Sequence, residues 1–478
     1  IRTTGSMLCV FGGEVLGAIE GVRPELEAEG LDRFLFVADG DGDSPPDWAE
    51  DAVALTAELS AENPPETGSV TLGDTALYLF TSGTTGLPKA AVVSNRRLLQ
   101  ASELAQYAGL HCDEQDVIYL CLPLYHGTGL FCGAGAAICS GAAMFVRRRF
   151  SASRFLPEVR ASGATCFVYI GELCRYLVNT PEQLGDDDNP LQRVMGNGLR
   201  PDIWMQFKQR FGIGRISEFY GASEGNVAFA NILNKDRTVG TTTLPIALVR
   251  YDVDNDEVIR NARGRCIRAE RGEPGLLLGK ITSNTVFEGY TSAEATEQKI
   301  LRDVFRRSDA WFNTGDLMKT VEVGFALGLT HYQFVDRVGD TFRWKSENVS
   351  TNEVAELVGS HPDVAFCNVY GVEVPGADGR AGMAALVLRE GVEALDLASF
   401  SAHVAAELPG YARPVFLRLL PAMGTTGTFK LVKGELRRQG FDPGRVEDPL
   451  YVLPPGATTY TELTPAFARA VLAGEAGY

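Results

Sequence analysis

Short, almost uninterrupted apolar runs recur along this chain, at Phe34–Val37, Ala76–Phe80, Val117–Leu122, Thr165–Ile170 and Gly214–Tyr220. Runs this short and this uniformly apolar read as strands buried on both faces. Stretches of helical period separate them, among them Asn95–Leu110 and Ser153–Ser162. Strand and helix in alternation predict an α/β domain of parallel sheets, a fold that places ligands in the loops beyond the carboxyl ends of its strands. Between residues 238 and 320 the texture changes to segments punctuated by Gly and Pro, such as Gly264–Arg268 and Gly275–Ile281, which predict a small antiparallel β subdomain. After Asp336 a fresh pattern begins: an amphipathic helix at Ser350–Val358, strands at Val364–Val372 and Ala384–Leu388, and a helix at Leu397–Glu407. The expected architecture is a large α/β domain over residues 1–338 and a smaller, mobile α+β domain over 339–478. The acidic run Gly185–Pro190 reads as a solvated loop.

Composition narrows the chemistry. Lys and Arg number 44 against 61 Asp and Glu, a formal charge of −17, so a nucleic acid polymer would be repelled and any nucleotide would have to be held locally. Nine cysteines, with no C-x-x-C pair among them, read as small apolar residues of a reducing compartment; neither zinc nor a disulfide is expected. The run Gly129–Val146 carries no charge and is long enough to test as a membrane span. It is dominated by Gly, Ala, Ser and Cys, each contributing little transfer energy, which suits a buried helix packed closely on a sheet. The stretch Met7–Ile19 contains Glu14 and lacks a basic leader, so it does not read as a signal peptide.

The densest chemistry lies in Tyr78-Leu-Phe-Thr-Ser-Gly-Thr-Thr-Gly-Leu-Pro-Lys89. Thr81, Ser82, Thr84 and Thr85 offer hydroxyl and backbone donors, Gly83 and Gly86 remove Cβ obstruction, and Lys89 adds a point charge: a phosphate cradle. A polar surface turn is the plainer account. The spacing is not that of the G-x-x-x-x-G-K-[ST] loop, because Gly86 is followed by Leu87-Pro88.

Further motifs follow in order: Leu122-Pro-Leu-Tyr-His-Gly-Thr-Gly129, Tyr220-Gly-Ala-Ser-Glu-Gly-Asn226, Asn313-Thr-Gly-Asp-Leu317 and Phe334-Val-Asp-Arg-Val-Gly-Asp-Thr-Phe-Arg-Trp-Lys-Ser-Glu-Asn-Val-Ser350. With the hydroxyl loop, this series resembles the adenylate-forming superfamily of acyl-CoA synthetases, luciferases and peptide-synthetase adenylation domains. The last motif, with Gly427-Thr-Phe-Lys-Leu-Val-Lys433, resembles the fatty-acid transport protein and very-long-chain acyl-CoA synthetase branch, over essentially the whole chain. Members of that branch usually carry a further stretch before the equivalent of Ile1, so the chain is expected to lack its beginning.

The resemblance implies a fatty acid:CoA ligase that uses ATP, Mg²⁺ and coenzyme A and proceeds through an acyl-adenylate. It implies a cytoplasmic protein with peripheral membrane association through the absent N-terminal stretch. Thr81 to Gly86 and Lys89 would cover the β- and γ-phosphates, Tyr220 beside Gly221 would stack on adenine, and Ser223 would reach the α-phosphate. Glu224, with Thr85, would hold the magnesium. Gly196, Asn197 and Gly198 would border adenine and the acyl group, and His126 would lie near the acyl and phosphate junction. Asp316 would accept the ribose hydroxyls, with Arg337 closing over the same sugar. The plainer readings are a core aromatic, a surface ion pair and a satisfied core histidine.

Lys430 is the expected adenylation lysine, with Lys433 the alternative, because Phe429 stands where relatives place Gly. Two residues after Arg337, where relatives carry Asp or Lys as the interdomain pivot, this chain has Gly339; Gly339-Asp340 is the expected hinge. Such a reaction calls for no protein nucleophile, and no Ser-His-Asp arrangement is expected. Two other readings remain open: a fatty-acid uptake protein at a membrane, and an acyl-AMP ligase that passes its product to another acceptor.

Overall fold

The computed structural model describes every residue except 39, 41–42, 58, 82–88, 223–224, 253–256, 346, 378 and 425–432, and leaves aside the side chains of Thr81, Lys89 and Asn348. Contacts divide the chain into two units, 1–96 with 289–296 and 97–288 with 297–478.

In the first unit, strands β1 (Cys9–Gly12), β2 (Phe34–Val37) and β3 (Glu50–Asp51) form a parallel sheet in sequence order. Its small core is Phe11, Leu26, Leu31, Phe34 and Phe36, with the Trp48 ring stacked on Phe11 at 5.4 Å. Strands β4 (Thr75–Thr81) and β5 (Lys89–Ser94) pair antiparallel, with Thr81 opposite Lys89. The apolar run Ala76–Phe80 is therefore a hairpin arm rather than a strand of a parallel sheet, and Tyr78 and Phe80 are exposed. A seven-residue connection is too short for the crossover that parallel pairing requires.

The second unit is built on a six-stranded sheet. Strands β6 (Val117–Leu120), β7 (Ala143–Val146), β8 (Cys166–Ile170), β9 (Arg193–Asn197) and β10 (Arg215–Gly221) run parallel, and β11 (Ala228–Ala230) closes one edge antiparallel, in the order β11-β10-β9-β8-β6-β7. All of β8 is buried, as its unbroken apolar sequence requires. Helices Ala152–Ser162, Gly171–Val178 and Pro201–Arg210 follow β7, β8 and β9 and supply Phe155, Val159, Leu173, Leu177, Trp204 and Phe207 to the core.

The uncharged run Gly129–Val146 does not form one helix. It divides into a π-helical segment, Thr128–Gly135, a short helix, Ala136–Ser140, and β7. Gly141, at φ +77° in the left-handed region, ends the helix and turns the chain into the sheet. Among the described residues no helix is long and apolar enough to cross a membrane.

Strands β12 (Ile246–Val249), β15 (Gly275–Lys280), β16 (Ile300–Arg302) and β17 (Ala310–Val321) form the expected antiparallel sheet, in the order β12-β15-β17-β16, beside a small hairpin of β13 (Tyr251–Asp252) and β14 (Glu257–Val258). It reaches beyond residue 320, because β18 (His331–Arg337) pairs with β17. Gly264–Arg268 forms no strand and contributes only isolated bridges.

Beyond it, the hairpin β19 (Phe342–Trp344) and β20 (Glu347–Val349) precedes a sheet of β21 (Val364–Glu373), β22 (Arg380–Leu388), β23 (Phe416–Leu419), β24 (Leu450–Val452) and β25 (Thr461–Glu462). Residues 342–471 share a core of their own, including Val358, Tyr370, Phe400 and Phe416. Ser350 caps helix Thr351–Gly359 and Asp396 caps helix Leu397–Glu407, their side chains accepting from first-turn amides.

The Gly185–Pro190 loop is not wholly solvated. Asp186 is buried and accepts from Arg210 Nε at 2.7 Å. The same guanidinium donates to the carbonyls of Leu177, Val178, Thr180 and Pro181, satisfying the carboxyl end of helix Gly171–Val178. Arg210→Met would leave Asp186 as an unpaired buried charge and the carbonyls of Val178, Thr180 and Pro181 unsatisfied. A loss of about 3–5 kcal/mol in unfolding free energy is expected, read from urea midpoints.

Candidate functional site in the parallel sheet

Parallel strands in register release their following loops at one edge of the sheet. At the carboxyl ends of β6, β8, β9 and β10 lie the segments that carry His126, Gly171, Gly196–Gly198 and Tyr220–Gly221.

Tyr220 is fixed at both ends. Its ring stands edge-on to Phe229, with centroids 5.8 Å apart, and stacks at 6.3 Å on Phe334. Its hydroxyl donates to Asp316 Oδ2. Burial, and after it the neighbouring Asp316, push the phenol's pKa up, so the hydroxyl stays a donor across the physiological range. Asp316 lies in β17 directly opposite Arg337 of β18, and Arg337 Nε stands 3.7 Å from Asp316 Oδ1. The turn before Asp316 is locked by Thr314 Oγ1 donating to Leu277 O and by the Asp316 amide donating to Thr314 Oγ1. Three strands thus bring together an aromatic ring, a carboxylate and a guanidinium that lie far apart in the chain.

A second arrangement sits on the neighbouring strands. Thr128 Oγ1 donates to Asn197 Oδ1 at 2.9 Å, and the Thr128 amide donates to His126 Nδ1 at 3.4 Å, so His126 and the Gly196–Gly198 loop are linked through Thr128. The buried Glu218 of β10 accepts from the Tyr169 hydroxyl and from the amides of Gly198 and Leu199. Burial outweighs these three donors and pushes its carboxyl up to about 8. Sequence reasoning passed over Glu218, Tyr169 and Thr128. The available signal was an acid inside the strand-forming run Gly214–Tyr220.

At the expected hinge, Asp340 closes a turn on Arg337 O at 3.0 Å and faces Lys433 Nζ at 3.4 Å and Arg437 Nη2 at 3.6 Å. Lys433 Nζ also donates to Thr351 Oγ1 at 2.8 Å, and burial draws its pKa down. Gly339 adopts none of the positive φ angles that favour glycine, and a Cβ there would meet no neighbour. Asp336, buried beside it, accepts from the Thr351 amide at 2.6 Å and from Thr351 Oγ1 at 2.8 Å, at the start of helix Thr351–Gly359.

Of the expected site residues, Ser82, Gly83, Thr84, Thr85, Gly86, Ser223, Glu224 and Lys430 lie outside the described residues. Thr81 and Lys89 are placed by backbone only, as the paired residues that flank the loop. Among the described residues no cluster of His, Cys, Asp or Glu could hold a metal. Gly221-Ala-Ser-Glu-Gly225 spells G-x-S-x-G, yet β10 returns antiparallel into β11, with Gly221 opposite Ala228, instead of entering a helix as a nucleophile elbow does.

Comparison with known proteins identifies the family and the fold. A family model described as "AMP-binding enzyme" matches residues 18–291, and one described as "AMP-binding enzyme C-terminal domain" matches residues 353–430. The medium/long-chain fatty-acid–CoA ligase FadD6 of Mycobacterium tuberculosis is 47% identical over 404 residues, covering 84% of this chain and 66% of that protein. Human long-chain fatty acid transport protein 3 is 43% identical over 482 residues, covering 99% of this chain and 69% of that protein. The chain thus spans about two thirds of these relatives' length. Among solved structures, the anthranilate CoA ligase AuaEII in complex with anthranoyl-AMP superposes with a TM-score of 0.72 at 20% identity, covering 91% of this chain and 79% of that one. ATP-bound MatB from Rhodopseudomonas palustris gives 0.72 at 20% identity, covering 92% and 80%.

Glu218 also generates a pH dependence. Its carboxyl rises from 4.5 to about 8 on folding, so the folded state holds a proton there that the unfolded chain releases first. Stability from this group is fully present below 4.5 and declines as pH rises towards 8. Urea midpoints should fall between pH 5 and pH 8, and Glu218→Gln should flatten that decline.

Proposed function

The chain belongs to the AMP-binding enzyme family, and on that premise we propose that it is a fatty acid:CoA ligase that joins its substrates through an acyl-adenylate. A carboxylate oxygen of the fatty acid attacks the α-phosphorus of ATP and pyrophosphate leaves. The thiol of coenzyme A then attacks the acyl carbonyl, and AMP leaves. The observation that carries the reading is the convergence of Tyr220, Asp316 and Arg337 from three strands, the ring held by packing and by its own hydrogen bond to the acid.

The Tyr220 ring offers a face for adenine, a contact worth about 1–3 kcal/mol for base on aromatic. Asp316 supplies an acceptor for the ribose hydroxyls, and Arg337 a donor beside it. The Gly196–Gly198 loop borders adenine and the acyl group, with His126 linked to it through Thr128. Thr81 to Gly86 and Lys89 hold the β- and γ-phosphates, and Ser223 reaches the α-phosphate. Glu224 and Thr85 would hold Mg²⁺, which when bound offsets phosphate charge that would otherwise repel the incoming carboxylate. Lys430 bridges the substrate carboxylate and the α-phosphate as charge moves between them. Lys433 is already engaged with Asp340 and Thr351, which favours Lys430 for that role. Residues 339–478 form the mobile domain, turning at Gly339-Asp340 between the two half-reactions.

Cytoplasmic placement with peripheral membrane contact belongs to the same reading and is supported by the transport-protein relatives. An uptake protein with incidental ligase activity, or an acyl-AMP ligase, would give a different product balance. Purified protein with ATP, Mg²⁺, coenzyme A and fatty acids of graded length should release pyrophosphate and form acyl-CoA. No pyrophosphate with any acid sinks the proposal, and pyrophosphate without thioester selects the acyl-AMP ligase. Lys430→Ala should abolish adenylate formation and spare CoA transfer from preformed acyl-adenylate; equal loss of both halves refutes its role. Asp316→Ala should raise KM for ATP by roughly tenfold or more, the loss of a charged hydrogen-bond acceptor.

A further inference from the structure

The registers of β8, β9 and β10 place Tyr169, Gly196 and Glu218 side by side in one row across three strands. Neighbours in a row project to the same face of a sheet. The central residue has no side chain, and the outer two meet across it: the Tyr169 hydroxyl donates to Glu218 Oε2 at 2.5 Å. A Cβ at Gly196 would stand 2.2 Å from Tyr169 O and 2.5 Å from Tyr169 Cδ2, so any other residue would displace both the neighbouring backbone and the ring. Glu218 Oε1 receives the amides of Gly198 and Leu199, the latter at 3.1 Å. Gly198 holds a left-handed φ of +83°, and a Cβ on Gly171 would lie 1.7 Å from Gly198 O, so the loop is clamped on its carbonyl side as well. With Asn197 tied to Thr128, the segment that follows β9 is fixed from three directions.

We propose that Glu218, oriented by Tyr169, is the positioning residue that holds the Gly196–Leu199 loop in the shape that receives the nucleotide. This rests on the nucleotide site proposed above. Glu218 need not touch the ligand. Its Oε1 is a buried acceptor for two successive amides, and without it those donors would turn elsewhere and carry the loop with them. Gly196 is then glycine in order to admit the Tyr169 ring, in addition to any approach of a ligand.

The test is calorimetric titration of AMP into wild type, Glu218→Gln, Glu218→Met and Tyr169→Phe, with near-UV circular dichroism to establish folding and with KM for ATP and kcat measured alongside. Glu218→Gln keeps an acceptor for the two amides and should bind AMP within about threefold of wild type. Glu218→Met keeps the volume without the acceptor and should bind roughly tenfold more weakly, with KM for ATP raised in step and kcat at saturating ATP within about threefold. A folded Glu218→Met that binds AMP like wild type overturns the proposal. So does an equal loss in Glu218→Gln and Glu218→Met, which would assign the effect to something other than an acceptor for the two amides. Should Glu218→Met fail to fold, Tyr169→Phe decides: weaker AMP binding by about threefold or more at unchanged kcat supports the anchor, and wild-type binding overturns it. The AMP titration needs neither fatty acid nor coenzyme A, so it tests the anchor even if the acyl substrate assigned above is wrong.

Discussion

Parallel registration of β8, β9 and β10 is the constraint on which the candidate site depends. It sends the loops after these strands out at one edge, and it sets Tyr169, Gly196 and Glu218 in one row. A slip of one residue in any of the three would turn its side chains to the opposite face and separate the pair. The burial of all five β8 residues makes such a slip costly, because the covering helices leave no solvent face to receive a displaced polar group.

Three buried polar groups of the second unit, Arg210, Asp336 and Glu218, follow a common logic. Removing a carboxylate or guanidinium from water is expensive unless donors or acceptors replace the solvent. Here the replacements are backbone groups that regular structure leaves unsatisfied. Arg210 serves the carboxyl end of helix Gly171–Val178, Asp336 the start of helix Thr351–Gly359, and Glu218 the amides of the loop after β9. Each group therefore fixes where a chain segment ends. Two of these segment ends flank β8 and β9, and the third adjoins the expected hinge.

The proposed hinge combines a backbone that imposes little with side chains that hold it. Gly339 uses no glycine-only angle and crowds nothing, while Asp340 is held by Lys433 and Arg437. Position along this turn is thus fixed by ion pairs contributed from a segment nearly a hundred residues later in the chain.

The sequence by itself determined which segments are strands of a buried parallel sheet, where the C-terminal elements lie and, through its motifs, the family to which the chain belongs. Apolar runs and hydroxyl- or acid-bearing motifs are local patterns, and local chemistry dictates them. Even so, Ala76–Phe80 had the composition of a buried strand and became a hairpin arm, since pairing direction depends on the connection and not on the run. Gly129–Val146 looked like one helix and was divided, because a left-handed glycine and an open sheet edge offered β7 a better partner. Asp186 looked solvated until Arg210 was found beside it. Only the tertiary structure decided that Tyr220 bonds Asp316, that Tyr169 reaches Glu218 across Gly196, and that Lys433 pairs with Asp340. These are contacts between residues tens of positions apart, set by strand register, and register is a property of the assembled sheet that no single segment encodes.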